Sequence, residues 1–170
     1  LLAHALTHSS YASEHDLAYS ENNERLEFIG DAYLDAIIGN KLYEVMPNQP
    51  EGVLSKTRAN IVCERSLATI ARNIGLGDFL FLGNGEEMYG GREKDSILAD
   101  AVEAIIGAII RESGYDCADR VVLKLFEENI LLALQGKLYH DYKTALQEKL
   151  QERYKNVKIQ YESVSESGPD

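Results

Sequence analysis

From Ile97 to Ile110 the chain reads Ile-Leu-Ala-Asp-Ala-Val-Glu-Ala-Ile-Ile-Gly-Ala-Ile-Ile, a helix-length stretch in which only Asp100 and Glu103 ionise. A helix that is apolar nearly all round belongs in a core, so the rest of the chain must wrap around it. Positions three apart on a helix share a face, and buried carboxylates persist when they are paired or hold a metal. Asp100 and Glu103 therefore read as half of a cation site. A solvated acidic patch is the competing reading.

The other half lies upstream in Asn23-Glu24-Arg25-Leu26-Glu27-Phe28-Ile29-Gly30-Asp31-Ala32, where Glu24, Glu27 and Asp31 fall at i, i+3 and i+7. At about 3.6 residues per turn these three share one stripe. Leu26, Ile29, Ala32, Tyr33, Ala36 and Ile37 occupy other parts of the same helix and are expected to build the fold. Carboxylates from two helices can then converge on one point. All-oxygen ligands favour magnesium, manganese or calcium over zinc. A carboxylate-bridged di-iron bundle would need a Glu-x-x-His pair, and the histidines, His4, His8, His15 and His140, are scattered without one. Magnesium commonly serves phosphate chemistry, which makes phosphodiester hydrolysis the natural reaction class.

Helical signals run to about Gln135. A helix capped at Asn22-Asn23 stops before Pro47, and Gly52 to Asn73 carries one long or two shorter helices ending at Gly75. Asp95 or Ser96 is expected to cap the oily helix, which ends at Gly114, and Asp116 to Leu134 reads as one amphipathic helix with Val121, Val122, Leu125 and Phe126 in its core stripe. Glycine-rich loops are expected at 83–85 and 90–91. The uncharged run Ala104–Ile110 is too short to span a membrane, and no leader is visible at the start. Cys63 and Cys117 lack C-x-x-C spacing and are too few for a disulfide framework. A reducing, cytoplasmic setting is the expectation.

The net charge of −11 is unusual for a protein that handles phosphates. Residues 1–140 hold 12 Lys or Arg against 22 Asp or Glu, and 141–170 hold 5 against 6. An acidic domain gathers cations and repels bare nucleic acid, so affinity must come from local basic patches, bound metal or another module. Arg58, Arg65 and Arg72, with Lys56 near the first, recur every seven residues and suggest one such patch. A salt-bridged solvent face is the alternative, and a helix break near Cys63-Glu64 would split the stripe.

The segment Asn23-Glu24-Arg25-Leu26-Glu27-Phe28-Ile29-Gly30-Asp31 resembles the signature of ribonuclease III, the double-stranded-RNA endonuclease. The similarity continues, in the family's order, through His8-Ser9-Ser10, Gly83-Asn84-Gly85-Glu86, Gly90-Gly91-Arg92 and Ser96-Ile97-Leu98-Ala99-Asp100-Ala101-Val102-Glu103-Ala104. It covers nearly the whole chain. The resemblance implies an all-α nuclease domain with the ribonuclease III-like helical fold at 1–135, clipped at its start. A linker at 136–140 and an incomplete α+β double-stranded-RNA-binding domain at 141–170 would follow. In that last segment Asp141 to Glu148 starts a helix, and Val157, Ile159 and Tyr161 alternate as in a strand.

By the same resemblance, Glu27, Asp31, Asp100 and Glu103 are the metal carboxylates, with Asp31 and Glu103 as the catalytic pair and Glu24 at the rim or just behind the ligands. Phe28 is implied to plug the partner subunit of a homodimer. Thr144, Gln147 and Glu148 are implied to touch the RNA minor groove, and Arg58 is a candidate phosphate contact. The implied cofactor is Mg2+, with Mn2+ as a substitute, and the implied partners are double-stranded RNA and a second copy of the chain, with no membrane. The implied activity is two-metal hydrolysis to 5′-phosphate and 3′-hydroxyl ends with short 3′ overhangs, in rRNA precursor and mRNA processing. The rivals are a noncatalytic RNA-binding relative of the same fold, which retention of all four carboxylates opposes, and a helical metal-binding or scaffold protein with no RNA substrate.

Overall fold

The computed structural model describes residues 1–138 together with 150, 153 and 154. The chain divides into a compact unit, Leu1–Leu138, and the segment Tyr139–Asp170. Most of the expected linker and the expected RNA-binding module, including Thr144, Gln147 and Glu148, lie outside the described residues.

The unit is built from α1 (Leu2–Ala5), α2 (Ser9–Glu14), α3 (Glu24–Val45), α4 (Glu51–Ile61), α5 (Glu64–Asn73), α6 (Asn84–Met88), α7 (Asp95–Ser113), α8 (Tyr115–Leu125) and α9 (Glu127–Leu134). Short 3-10 turns occur at Tyr19–Glu21, Leu76–Phe79 and Gly91–Glu93. Among the described residues, extended backbone pairs only at an isolated bridge between Thr7 and Phe81. The helical expectation for this unit therefore holds. No helix of the described residues is long and apolar enough to cross a membrane.

The oily helix α7 is the centre of the unit and packs along both α3 and α5. Its buried residues are Ile97, Leu98, Ala99, Ala101, Val102, Ala104, Ile106, Gly107 and Ala108, which leaves Asp100 and Glu103 half-buried on a partly uncovered face. Helix α3 buries Leu26, Gly30, Leu34, Ile37, Ile38 and Leu42. This differs from the expected apolar face, because Ala32 and Ala36 are exposed while Leu34, Ile38 and Leu42 turn inward. The buried stripe runs mainly in steps of four, the row that packs into a neighbouring helix's grooves.

Backbone meets backbone where α3 and α7 cross. A Cβ on Gly30 would lie 1.8 Å from the Glu103 carbonyl oxygen, and one on Gly107 would lie 2.1 Å from the Leu26 carbonyl oxygen. Neither helix can yield there by turning a side chain aside. Gly30→Ala should therefore destabilise the domain by about 3 kcal/mol, read as a lower urea midpoint. Gly52, also helical, has open space around its Cβ position, so Gly52→Ala should be neutral or stabilise by up to about 1 kcal/mol.

Several element boundaries depart from expectation. Residues 52–73 form the pair of shorter helices, broken at Val62-Cys63. The cap of α7 is Lys94, not Asp95 or Ser96. Asp95 sits instead in the first turn, where an acid suits the helix dipole, and its carboxylate is occupied by Arg72 at 2.5 Å. The expected helix from Asp116 to Leu134 is two helices that meet at Phe126, a fully buried side chain. Val122 and Phe126 are buried as expected, Leu125 is half-buried, and Val121 faces solvent. Of the expected loop at 83–85, only Gly83 lies outside a helix, since Asn84 and Gly85 begin α6, and Gly91 opens a 3-10 turn.

Candidate metal centre

Helix α3 supplies Glu24 and Glu27 from its first turn and Asp31 from its second. The start of α3 is fixed by its flank, since the Asn22 side chain accepts the Glu24 N–H at 3.2 Å and the Asn23 N–H donates to the Thr7 carbonyl at 2.8 Å. Asn22 and Asn23 are buried, so the first turn cannot drift. The Gly30 crossing then sets the acidic stripe of α3 against that of α7.

Glu27, Asp100 and Glu103 each place a carboxylate oxygen within 4.8 Å of the other two. Asp31 lies outside that group and is exposed. Its charge still acts on Glu103 more strongly than that of any other acid. Glu24 is half-buried beside the cluster and receives a hydrogen bond from the exposed Tyr19 hydroxyl, which holds the phenol above its ordinary value.

Burial raises every member of the triad, and repulsion from neighbouring acids adds to it. Glu103 is pushed up to about 8, first by burial, then by Asp31, Glu27, Asp100 and Asp35. Glu27 is raised by burial, then by Asp100, Glu24 and Asp31. Asp100 is raised by burial and by Glu64, against a counteracting pull from His8. Half-buried carboxylates crowded in this way are relieved by a proton or a metal cation, and an all-oxygen donor set fits a hard divalent ion.

Sequence reasoning brought Glu27, Asp100 and Glu103 to one face and missed the neighbours His8, Glu64 and Asp35. Nothing local in the sequence links Glu64, the first residue of α5, to Asp100. His8 carries a signal in His8-x-Ser10, the helix-capping pattern that orients its ring.

The arginine stripe divides at the expected break. Arg58 on α4 pairs with Asp35 at 3.6 Å, while Arg72 on α5 pairs with Asp95 and with Glu93. Phe28, one residue past Glu27, is 78% exposed and so is no part of the intramolecular core. It borders a cleft of about 710 Å³ lined also by His4, Tyr19, Arg25, Ile29 and Arg111.

A family model described as Ribonuclease-III-like matches residues 1–131. A Ribonuclease 3 of Corynebacterium efficiens is 50% identical over 170 residues, which is 100% of this chain and 67% of the relative. One from Caldanaerobacter subterraneus is 52% identical over 170 residues, 100% of this chain and 74% of its own length. Among solved structures, the nuclease domain of ribonuclease III from Campylobacter jejuni superposes with a TM-score of 0.70 at 50% identity. That match covers 75% of this chain and 85% of the other, whose structure is described as flexible in a region involved in dimer formation.

Proposed function

We propose, for a chain that belongs to the ribonuclease III family and is an endoribonuclease, that it cleaves double-stranded RNA at a divalent-metal centre formed by Glu27, Asp31, Asp100 and Glu103. The observation that carries this reading is the Glu27–Asp100–Glu103 cluster, within 4.8 Å and with every member raised. Magnesium, with manganese as a substitute, would supply the activation of a water for in-line attack and the stabilisation of the leaving 3′ oxygen.

The chain's own residues do the rest. Asp100 and Glu103 from α7 and Glu27 from α3 hold their oxygens on a preset gap. Asp31, exposed one turn further along α3, would complete the set from the solvent side and, with Glu103, would form the catalytic pair. Glu24 steadies the rim through Tyr19. No side-chain nucleophile is needed: water would attack the phosphorus and the 3′ oxygen would leave, so that 5′-phosphate and 3′-hydroxyl ends result.

Two copies joined through Phe28 and the adjoining cleft would present a pair of centres to one duplex, giving short 3′ overhangs. A patch that carries both a protruding ring and a cleft suits an isologous contact. Shape, phosphates and 2′-hydroxyls dominate recognition of A-form RNA. Thr144, Gln147 and Glu148 are assigned to the minor groove by resemblance. Arg58, half-exposed beside Asp35, keeps further donors for a phosphate. The domain organisation we infer is a nuclease domain at 1–135, a linker at 136–140 and part of an RNA-binding module at 141–170, with rRNA precursors and mRNA as cytoplasmic substrates.

Incubation with a long RNA duplex tests this reading. Magnesium should give short duplex products, a chelator should stop the reaction, and single strands of the same sequence should survive. Binding of duplex without cleavage in magnesium would favour the noncatalytic relative, and no binding at all would favour a scaffold.

A further inference from the structure

We propose that Glu14 is a positioning residue for the metal centre, clamping α6 against α2 and so keeping the start of α7 in place relative to the start of α3. This rests on the metal-centre reading above. The crossing at Gly30 and Gly107 fixes how closely the two acid-bearing helices approach. One contact point leaves two rods free to turn about it, so a second tie is needed to hold the gap between their carboxylates.

Polar ties run from one helix to the other. At the start of α3 the Asn23 N–H donates to the Thr7 carbonyl at 2.8 Å. The next residue, His8, donates its N–H to the Phe81 carbonyl at 3.0 Å, and Phe81 returns its own N–H to the Leu6 carbonyl at 2.8 Å. From α2, Ser10 Oγ accepts the Gly83 N–H at 2.9 Å. Glu14 Oε2 accepts the Asn84 N–H at 2.9 Å and the Asn84 side-chain N–H at 2.8 Å. Two residues further along α6, Glu86 is engaged by Lys94. Lys94 immediately precedes α7, and its carbonyl accepts the Leu98 N–H at 3.0 Å in the first turn of that helix. Asp100 stands two residues on.

Helix α6 cannot hold itself. It has five residues and buries none of them, and Met88 and Tyr89 at its far end are 82% and 80% exposed. A helix so short is unstable without outside support, and the first N–H groups of any helix need an acceptor. Glu14 provides one for Asn84 and, at 3.5 Å, for Gly85. A Cβ on Gly83 would lie 2.5 Å from Glu14 Oε1 and 2.9 Å from the Ser10 carbonyl oxygen, so α2 lies directly against the backbone that enters α6. These bonds, that of the Asn84 N–H first, hold the Glu14 carboxyl below its ordinary value, and it is ionised at neutral pH.

Two substitutions separate a clamp from a remote negative charge. Glu14→Gln keeps the reach and loses the charge, and its amide oxygen can take the place of Oε2 on both Asn84 donors. Glu14→Asp keeps the charge and is a methylene shorter, so it falls away from Asn84. Mn2+ binding to the full chain without RNA is followed by electron paramagnetic resonance, below the melting transition of each variant. Glu14→Asp should bind Mn2+ about fivefold more weakly, less than the roughly tenfold that loss of a ligand's own hydrogen-bond partner costs. Glu14→Gln should bind within about twofold of the parent.

Parent-like binding by Glu14→Asp would reduce Glu14 to a local cap and overturn the proposal. So would weaker binding by Glu14→Gln, which would assign the effect to charge. Should Glu14→Asp fail to fold, Asn84→Ala takes its place, since it removes the 2.8 Å side-chain bond and leaves the backbone one. Weakening beyond about twofold is then expected, and parent-like binding overturns the role. Failure of the parent to bind Mn2+, or unchanged binding by Glu103→Gln, would instead strike the metal-centre reading itself.

Discussion

Glu103→Gln should abolish duplex RNA cleavage, by at least about a hundredfold, while leaving the fold and duplex binding intact. The substitution removes a charge at nearly constant size from the most perturbed member of the cluster. Its pH signature distinguishes a strained ligand from an ordinary surface acid. The folded carboxyl is pushed up to about 8, whereas the unfolded chain titrates near the ordinary value of 4.5. The folded state thus holds this proton more tightly than the unfolded chain does. The stability that derives from it is fully present below about 4.5 and is lost as pH rises through 8. Glutamine cannot ionise and escapes that loss. The metal-free variant should therefore melt higher than the parent at pH 8, and the two should converge near pH 4.5. Near-normal turnover in saturating magnesium, or identical melting at both ends of the range, would remove Glu103 from the centre.

Phe28→Asp is expected to convert a dimer into monomers. The ring is 78% exposed on the isolated unit, so its replacement costs the monomer little. Burying such a side chain is worth about 1.5–3 kcal/mol, and a two-fold contact counts it twice. The dissociation constant should rise by roughly a hundred- to ten-thousandfold, before any cost of placing an ionised aspartate in the cleft. Sedimentation equilibrium across a concentration series reads the shift directly, with thermal melting of the monomer as the check on folding. An unchanged dimer would place the subunit contact elsewhere on the surface.

The acidic half-sites were legible because their spacing follows the helix period and because Asp100 and Glu103 interrupt an otherwise apolar run. That Asp31 stands outside the tight group was not legible. Asp31 shares the acidic stripe of α3 but is exposed, and sequence spacing carries no information about how two helices are set against each other. The apolar face of α3 was misjudged for a related reason. Its alanines looked like core, yet the stripe from Leu26 through Leu34 and Ile38 to Leu42 includes Gly30, which contributes by what it lacks. The break at Phe126 has no glycine or proline to announce it and follows from the tertiary anchoring of one buried ring. His8 and Glu64 act on Asp100 through their charge from remote parts of the chain, an influence that no local pattern encodes.

The glycine crossing has a bearing on which ion the centre would accept. Since Gly30 meets the Glu103 carbonyl and Gly107 meets that of Leu26, the distance between the acid-bearing turns is set by main chain and does not stretch or shrink as side chains repack. A flexible acidic loop adapts its radius and ligand number to whatever hard cation arrives. A jaw with a stiff hinge does not, and discrimination between magnesium and calcium rests on cavity size and ligand flexibility. For an ion bound there the seam would act as a gauge: the larger ion, which wants more oxygens at longer range, would have to strain two helices to be satisfied, and the smaller one would not.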